Sequence, residues 1–212
     1  MCGGTSFTSN DRFSLFEHTC PHTGYMSPDF CNHVVAMFAE PLLKYRNRDL
    51  YHVTCFHSSS KTDSQTERLQ TLADEWVGVA DKNTSEIASA IRQRSIDILV
   101  ELSGLTAGCR MDVMVQKPAP VQCTCIGYPN TTGIAEIDYR ITDAIADPPD
   151  TEQQFVETLL RLPKCFLCFT PPTQVCSLRS MCLVCPLPKT DRHERTAVAQ
   201  CRRPAVLQEQ VC

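Results

Sequence analysis

A short loop containing glycine and proline follows an apolar stretch near the middle of the chain. Residues 121–126 form a run of strand length, and Gly127, Tyr128 and Pro129 come directly after it. Open α/β sheets build ligand clefts where a buried strand ends in such a loop, and glycine lets the backbone approach a ligand closely. We therefore expect Gly127 to contact a ligand, with Tyr128 and Pro129 shaping the loop. The alternative is a plain turn between a strand and a helix.

Two further side chains follow predicted strands and could take part in chemistry. His33 precedes a predicted helix, and because an imidazole titrates near neutrality it can act as a base, as a positioning group or as a helix cap. Arg110 follows a glycine-containing loop, where a guanidinium can meet an anion or an acceptor backbone, or stay solvated. The residues by themselves favour the capping role for His33 and leave both roles of Arg110 open.

The chain has 14 cysteines, which raises the question of a metal site. Four of them form two C-x-x-C pairs: Cys165, Cys168, Cys182 and Cys185. Two such pairs can bind zinc, but the 13 residues between them are slightly fewer than in zinc ribbons. The first pair lies in a predicted buried strand at 165–169, so we interpret its thiols, like those of Cys123 and Cys125, as small apolar core groups. A zinc-binding regulator remains an alternative.

Composition and charge exclude several classes of function. The chain has 212 residues, enough for one domain and a tail, and a formal net charge of −4. Its Lys and Arg residues are scattered, so we expect no nucleic-acid partner. No apolar run approaches the ~18 residues of a membrane helix, and the N-terminus lacks the pattern of a secretory signal. We therefore expect a cytoplasmic or nuclear protein that does not bind membranes.

Predicted helices and apolar strands alternate through the middle of the chain. Strands are predicted at residues 22–26, 51–56, 75–79, 96–102, 121–126, 137–142 and 165–169. Helices are predicted at residues 34–45, 66–74, 83–94, 111–116 and 150–162. This alternation is typical of a parallel sheet covered on both faces. We expect residues 1–20 to be poorly ordered and residues 173–212, rich in Cys, Pro and Arg, to be an unstructured tail.

Seven stretches of the chain resemble the catalytic region of protein O-GlcNAc transferases. They look closer still to the plant SPINDLY branch, whose members are protein O-fucosyltransferases. The stretches include GYMSPDFCNH at 24–33 and IGYPNTTG at 126–133, and the others lie at 97–104, 117–122, 137–143, 146–151 and 160–163. One such motif would be a weak signal, but seven in the same order across residues 22–172 are highly specific.

The resemblance implies a fold and an activity. Residues 21–172 would be the Rossmann-like N-terminal lobe of a two-lobed glycosyltransferase of the GT-B type. Such an enzyme moves N-acetylglucosamine or fucose, with inversion, from UDP-GlcNAc or GDP-fucose to Ser/Thr of intracellular proteins, without a metal or another cofactor. His33 would be the active-site histidine and Gly127 a donor-sugar contact. Leu105 replaces the histidine usual in the plant branch, and Arg110 belongs to a stretch closer to the O-GlcNAc transferases, so the donor stays open.

The resemblance covers only the N-terminal half of the family's catalytic region. The family's tandem tetratricopeptide repeats select protein acceptors, and its C-terminal lobe supplies most nucleotide contacts, including a lysine on the diphosphate. Neither has a counterpart in the matching residues, so we expect an incomplete catalytic region that is inactive, or nearly so, by itself. The main alternative is a non-catalytic fragment or interaction module built on a lone lobe.

Overall fold

The computed structural model describes residues 20–169. Within them the elements follow in the order β1 (His22–Ser27), α1 (Val34–Lys44), β2 (His52–His57), α2 (Ser64–Leu72), β3 (Glu75–Gly78), α3 (Thr84–Gln93), β4 (Ile98–Glu101), α4 (Met111–Val115), β5 (Val121–Thr124), β6 (Tyr139–Asp143) and β7 (Thr158–Leu162). The expectations of a poorly ordered start before residue 20 and of an unstructured tail after residue 172 lie outside the described residues.

The strands form one sheet in the order β3-β2-β1-β4-β5-β6-β7, and every neighbouring pair is parallel. This confirms the predicted α/β class. The chain runs outward from β1 to β3, returns to place β4 beside β1, and then continues to the opposite edge. The carboxyl ends of β1 and β4 therefore border a topological switch point, where open α/β sheets bind ligands.

The central strands are apolar on both faces because helices cover both. Successive residues of β4 point to opposite sides, so Leu99 joins one buried cluster and Val100 joins the other. The helix α3 contributes Ile87, Ala88 and Ile91 to the first cluster, at the spacing of one helical face. The helix α1 contributes four residues to the second: Val35, Ala36, Ala39 and Leu43.

The helices begin where capping residues lie. Asn83 accepts a hydrogen bond from the backbone N–H of Glu86, and the Glu86 carboxylate accepts one from the N–H of Asn83 at 2.8 Å, so the two residues form a capping box at the start of α3. Asp63 caps α2, which therefore starts two residues earlier than predicted. The helix α1 continues through Pro41 to Lys44, close to its predicted range.

The predicted helix at 150–162 and the predicted strand at 165–169 are wrong. Residues 158–162 form β7, which pairs with β6 and alternates exposed and half-buried side chains. A short apolar run such as that around Leu159 and Leu160 is compatible with a helix or a strand, and pairing with the open edge of β6 decides between the two. Because β7 takes the last edge position, residues 165–169 form no strand, and Cys165 and Cys168 are exposed rather than buried.

The other two cysteines interpreted as core thiols are buried. Cys123 and Cys125 lie in and just after β5 within the second buried cluster. Burial raises the pKa of each thiol to about 12, so both are neutral near pH 7 and behave as small apolar groups. Among residues 20–169 no helix has the length and apolar character needed to cross a membrane.

Candidate functional site

Three loops lie side by side at the carboxyl edge of the sheet. We call them the β1 loop (residues 28–33), the β4 loop (residues 102–110) and the β5 loop (residues 125–134), after the strands that they follow. Since β1, β4 and β5 are neighbours in the sheet, these loops border the switch point. Together they carry all five residues predicted to act: His33, Arg110, Gly127, Tyr128 and Pro129.

His33 is the N-cap residue of α1. Its Nδ1 atom accepts a hydrogen bond from the N–H of Val35 at 3.3 Å and lies 3.8 Å from an oxygen of Asp29. These contacts occupy one ring nitrogen, and 46% of the side chain is exposed. The capping role is therefore real, and it leaves Nε2 for a ligand. The catalytic role of His33 stays a prediction.

One aromatic side chain and a few backbone donors hold the β1 loop. Phe30 is fully buried, with its ring 5.4 Å from that of Trp76 and 6.1 Å from that of His57. The N–H of Asn32 donates to Asp63, the residue that caps α2, at 2.6 Å. The loop thus has one apolar anchor and leaves His33 half exposed.

A buried carboxylate shapes the start of the β4 loop. Glu101 is 1% exposed and accepts hydrogen bonds from the N–H groups of Ser103, at 2.8 Å, and Gly104, at 2.6 Å. Burial raises the pKa of Glu101 to about 7. Glu101 was not among the predicted site residues, although a carboxylate at the end of an apolar strand, two residues before Ser-Gly, is a visible signal.

The β4 and β5 loops interlock through two glycines. Gly127 donates its N–H to the carbonyl of Leu102 at 2.9 Å, and a β-carbon on Gly127 would collide with that same oxygen. Gly104 has a φ of +60°, and a β-carbon there would collide with the side chain of Tyr128. The structure therefore explains Gly127 by close packing against the end of β4. Its contact with a donor sugar stays a prediction.

A buried ion pair supports the β5 loop, and it consists of Arg140 in β6 and Asp147 shortly after that strand. Arg140 donates to the carbonyl of Tyr128 at 2.7 Å, and its Nε lies 3.3 Å from the carboxylate of Asp147. Both charged side chains are almost fully buried. Asp147 also accepts a hydrogen bond from Thr142 at 2.5 Å. The loop that carries Tyr128 thus rests on a buried ion pair.

A second carboxylate holds the far end of the β5 loop. Glu157 is 3% exposed and accepts hydrogen bonds from the N–H of Thr132 and the hydroxyl of Thr131, each at 2.7 Å. These bonds lower the pKa of Glu157 against the opposing effect of burial, so the group is an anion near neutral pH. The contacts join residues 25 positions apart, and no local pattern in the sequence signals them.

Arg110 points towards the start of α3. Its guanidinium donates to the carbonyl of Lys82 at 3.1 Å and to the carboxylate of Asp112 at 3.0 Å. A surface hollow of about 500 Å³ lies beside α3, lined by Lys82, Asn83, Glu86 and Ser89 among others, and none of the five predicted site residues lines it. A role for Arg110 towards a ligand requires the bond to Asp112 to open, and it stays a prediction.

The structure describes only two of the four cysteines of the alternative zinc site. Among residues 20–169 no group of three or more His, Cys, Asp or Glu side chains is arranged to hold a metal ion. Cys165 and Cys168 are exposed. Cys182 and Cys185, which would complete the site, lie outside the described residues, so that alternative stays untested.

Comparison with known sequences identifies relatives of the region that carries the three loops. The sequence profile of glycosyl transferase family 41 matches residues 5–191. The SPINDLY protein of Arabidopsis thaliana, named a "Probable UDP-N-acetylglucosamine--peptide N-acetylglucosaminyltransferase", is 45% identical over 169 residues, which are 78% of this chain and 18% of that protein. The Caenorhabditis elegans UDP-N-acetylglucosamine--peptide N-acetylglucosaminyltransferase is 30% identical over 168 residues, which are 78% of this chain and 15% of that protein.

A solved structure shows the same fold. A mutant of the Thermobaculum terrenum O-GlcNAc transferase matches with a TM-score of 0.71 and 34% identity, over 74% of this chain and 30% of that chain. The chain therefore spans less than a fifth of the two curated relatives, and its α/β sheet corresponds to part of a GT-B catalytic region. The family profile and the shared fold together show that this chain belongs to glycosyl transferase family 41.

Proposed function

We propose that this chain forms one wall of the sugar-transfer crevice of a protein O-glycosyltransferase. The reaction is transfer of N-acetylglucosamine or fucose, with inversion, from a nucleotide sugar to Ser/Thr hydroxyls of cytoplasmic or nuclear proteins. The observation that carries the proposal is the convergence of three loops at the switch point of a family 41 chain, with a half-exposed imidazole on one of them. The printed names of the relatives, which are peptide N-acetylglucosaminyltransferases, support the reaction class.

Two of the three loops take separate tasks in the proposed reaction. Transfer requires the acceptor hydroxyl to lose a proton, the anomeric carbon to be held in line and the leaving diphosphate to be stabilised. Nδ1 of His33 accepts the N–H of Val35, so the neutral ring carries its proton on Nε2, which can orient the acceptor hydroxyl by donating a hydrogen bond to its oxygen. To take the hydroxyl proton as a base, Nε2 must be unprotonated, which requires the ring to release Val35 and carry its proton on Nδ1. Gly127 offers a fixed stretch of backbone to the donor sugar. Stabilisation of the diphosphate falls to groups of a second lobe, so we expect little or no turnover by the chain alone.

The donor is either UDP-GlcNAc or GDP-fucose. Leu105 lies on the β4 loop with 49% of its surface exposed, at the position where the plant branch resembled by this chain usually has histidine. An aliphatic side chain cannot donate a hydrogen bond to a sugar hydroxyl, whereas histidine can. Exchange of Leu105 for histidine is thus a direct test of whether this position influences the choice of donor.

A chimera tests the proposed activity. Residues 22–169 replace the matching segment of the Arabidopsis relative, and transfer of radiolabelled sugar from each donor to an acceptor protein is measured. We expect activity with one donor, and we expect His33→Asn to abolish it because asparagine can cap α1 but has no titratable ring. A folded chimera that is inactive with both donors, or that keeps full activity as His33→Asn, contradicts the proposal.

A second candidate function is that of an interaction module without catalysis. Large apolar side chains are exposed at the carboxyl edge, with Ile145 at 90% and Leu105 at 49% exposure, and such side chains can dock against another lobe. Co-purification of the chain with a full-length transferase, combined with an inactive chimera, would favour this function over the first.

A further inference from the structure

We propose that Glu101 is a positioning residue that sets the β1 loop and the β5 loop, on either side of it, by holding the turn at Ser103 and Gly104. Its effect on sugar transfer rests on the proposed function, whereas its effect on the loops rests on the hydrogen bonds and packing of the described residues. Glu101 touches no part of the predicted ligand site. It acts through the turn, on the β1 loop on one side and on the β5 loop on the other.

The two carboxylate oxygens of Glu101 satisfy two backbone donors at the end of β4. One oxygen accepts from the N–H of Ser103 at 2.8 Å, and the other accepts from the N–H of Gly104 at 2.6 Å. Buried backbone donors without partners are costly, and a side chain with two acceptor oxygens at this position serves both. The positive φ of Gly104 is part of the same turn. The carboxylate therefore defines the conformation of the turn.

Hydrogen bonds connect the turn to the β1 loop. The hydroxyl of Ser103 is 2.9 Å from that of Ser27 at the end of β1, and both side chains are fully buried. The Ser27 hydroxyl accepts from the N–H of Asp29 at 3.0 Å, and the Asp29 carboxylate lies 3.8 Å from Nδ1 of His33. A continuous series of contacts thus runs from the turn held by Glu101 to the imidazole.

Close packing connects the same turn to the β5 loop. Gly104 lies so near Tyr128 that a β-carbon could not be inserted between them. Gly127 donates to the carbonyl of Leu102, one residue before the turn. The contacts leave no free space, so a shift of the turn displaces the backbone at Tyr128.

The surroundings of Glu101 make it sensitive to pH near neutrality. Its pKa is raised to about 7, mainly by burial and to a smaller extent by the nearby Asp29, against the opposing effect of the two N–H donors and the Ser103 hydroxyl. The residues paired with it on the adjacent strands, Met26 and Thr124, carry no charge. At the start of α4, the side chain of Arg110 pairs with that of Asp112.

Protonation of Glu101 has a structural consequence. The protonated oxygen is a poor acceptor, so one of the two N–H groups loses its partner and the turn loosens. His57, buried beside the β1 loop, and His33, on that loop and 3.8 Å from Asp29, are the other groups that can affect these loops as the pH changes, and the Glu101→Gln variant separates their effects from that of Glu101. Burial lowers the pKa of His57, so its titration lies below that of Glu101.

Amide NMR of the 212-residue chain tests the inference without any measurement of turnover. The backbone N–H shifts of Gly104, Asp29 and Tyr128 are followed from about pH 5.5 to about pH 8.5. We expect all three to change with one midpoint near pH 7, the pKa of Glu101. In Glu101→Gln, which cannot titrate, this midpoint disappears from all three.

Ser103→Ala is the matched variant, and it keeps the test sharp if Glu101→Gln fails to fold. It retains Glu101 and its two N–H donors but removes the Ser103 hydroxyl, which links the turn to Ser27 and lowers the pKa of Glu101. Gly104 should therefore still titrate, with a midpoint somewhat above that of the parent chain, while Asp29 no longer follows it. A Gly104 amide without a midpoint near pH 7 overturns the inference, and so does a Gly104 midpoint that is not shared by Asp29 and Tyr128. An inactive chimera would count against the proposed function and leave this result unaffected.

Discussion

The β1 loop and the β5 loop face the same switch point, yet they are held in different ways. Buried charges hold the β5 loop: Arg140 binds the carbonyl of Tyr128, and Glu157 binds the N–H of Thr132. The β1 loop depends on the buried ring of Phe30 and leaves His33 half exposed. The β5 loop can therefore present a fixed backbone surface, while the β1 loop presents a side chain that remains free to meet a ligand.

The largest effect should come from the ion pair beneath the β5 loop. Arg140→Met leaves Asp147 buried without its cation, and we expect a loss of about 3–5 kcal/mol in the free energy of unfolding. Urea unfolding at pH 7 measures it. The control is Arg110→Met, whose partner Asp112 is 46% exposed, so that this loss should stay below about 1 kcal/mol. Equal losses in the two variants would remove the distinction between a buried and an exposed support.

The turn shared by both loops should make stability depend on pH. The folded-state pKa of Glu101 is raised from 4.5 to about 7, because burial favours the neutral carboxyl over the carboxylate. The stability that the folded state gains from holding this proton is therefore full below about pH 4.5 and declines as the pH rises towards 7. The free energy of unfolding should fall by roughly 3 kcal/mol over this range. Glu101→Gln should lack this decline. For each protein, the free energy of unfolding at about pH 5 is compared with that at about pH 8. Parallel pH profiles for the two proteins would contradict the assignment.

A smaller effect is expected at the contact between the β5 loop and the end of β4. Gly127→Ala forces a methyl group against the Leu102 carbonyl, and we expect a loss of about 2 kcal/mol. Gly78→Ala is the matched control, because a β-carbon at Gly78 meets no atom within 4 Å. Thermal unfolding of the two variants compares them directly. A Gly127→Ala protein as stable as the control would mean that the β5 loop is more adaptable than its contacts indicate.

The smallest effect concerns the β1 loop. His33→Ala removes the N-cap acceptor of α1 and should cost about 1 kcal/mol, whereas His33→Asn should cost much less because its side chain can cap the helix. Chemical denaturation measures both. If both variants unfold like the parent chain, the cap contributes nothing to stability, and the position of His33 must be explained by function alone.

Local patterns were sufficient to predict most of the fold. Apolar strands alternate with helices whose caps lie within a few residues, as at Asn83 and Glu86, and such signals need no distant partner. The loops that carry His33 and Gly127 follow strands, so their common edge could be predicted as soon as the sheet was expected to be parallel. The ordered motifs of the chain also indicated the family that the comparisons identify.

Other features depended on contacts between residues far apart in the sequence. The apolar spacing around Leu159 and Leu160 suits a helix or a strand, and the free edge of β6 decided for β7. Two supports of the site, Arg140 and Glu157, look like ordinary charged residues in the sequence, and only the fold buries them. The third, Glu101, is distinguished in the sequence only by its place at the end of an apolar strand. Sequence alone determined the class of fold and the strand ends that carry the site, because periodicity and capping act over short distances. Only the tertiary structure decided how those loops are held, because the cost of burying a charge or a backbone donor depends on its spatial neighbours.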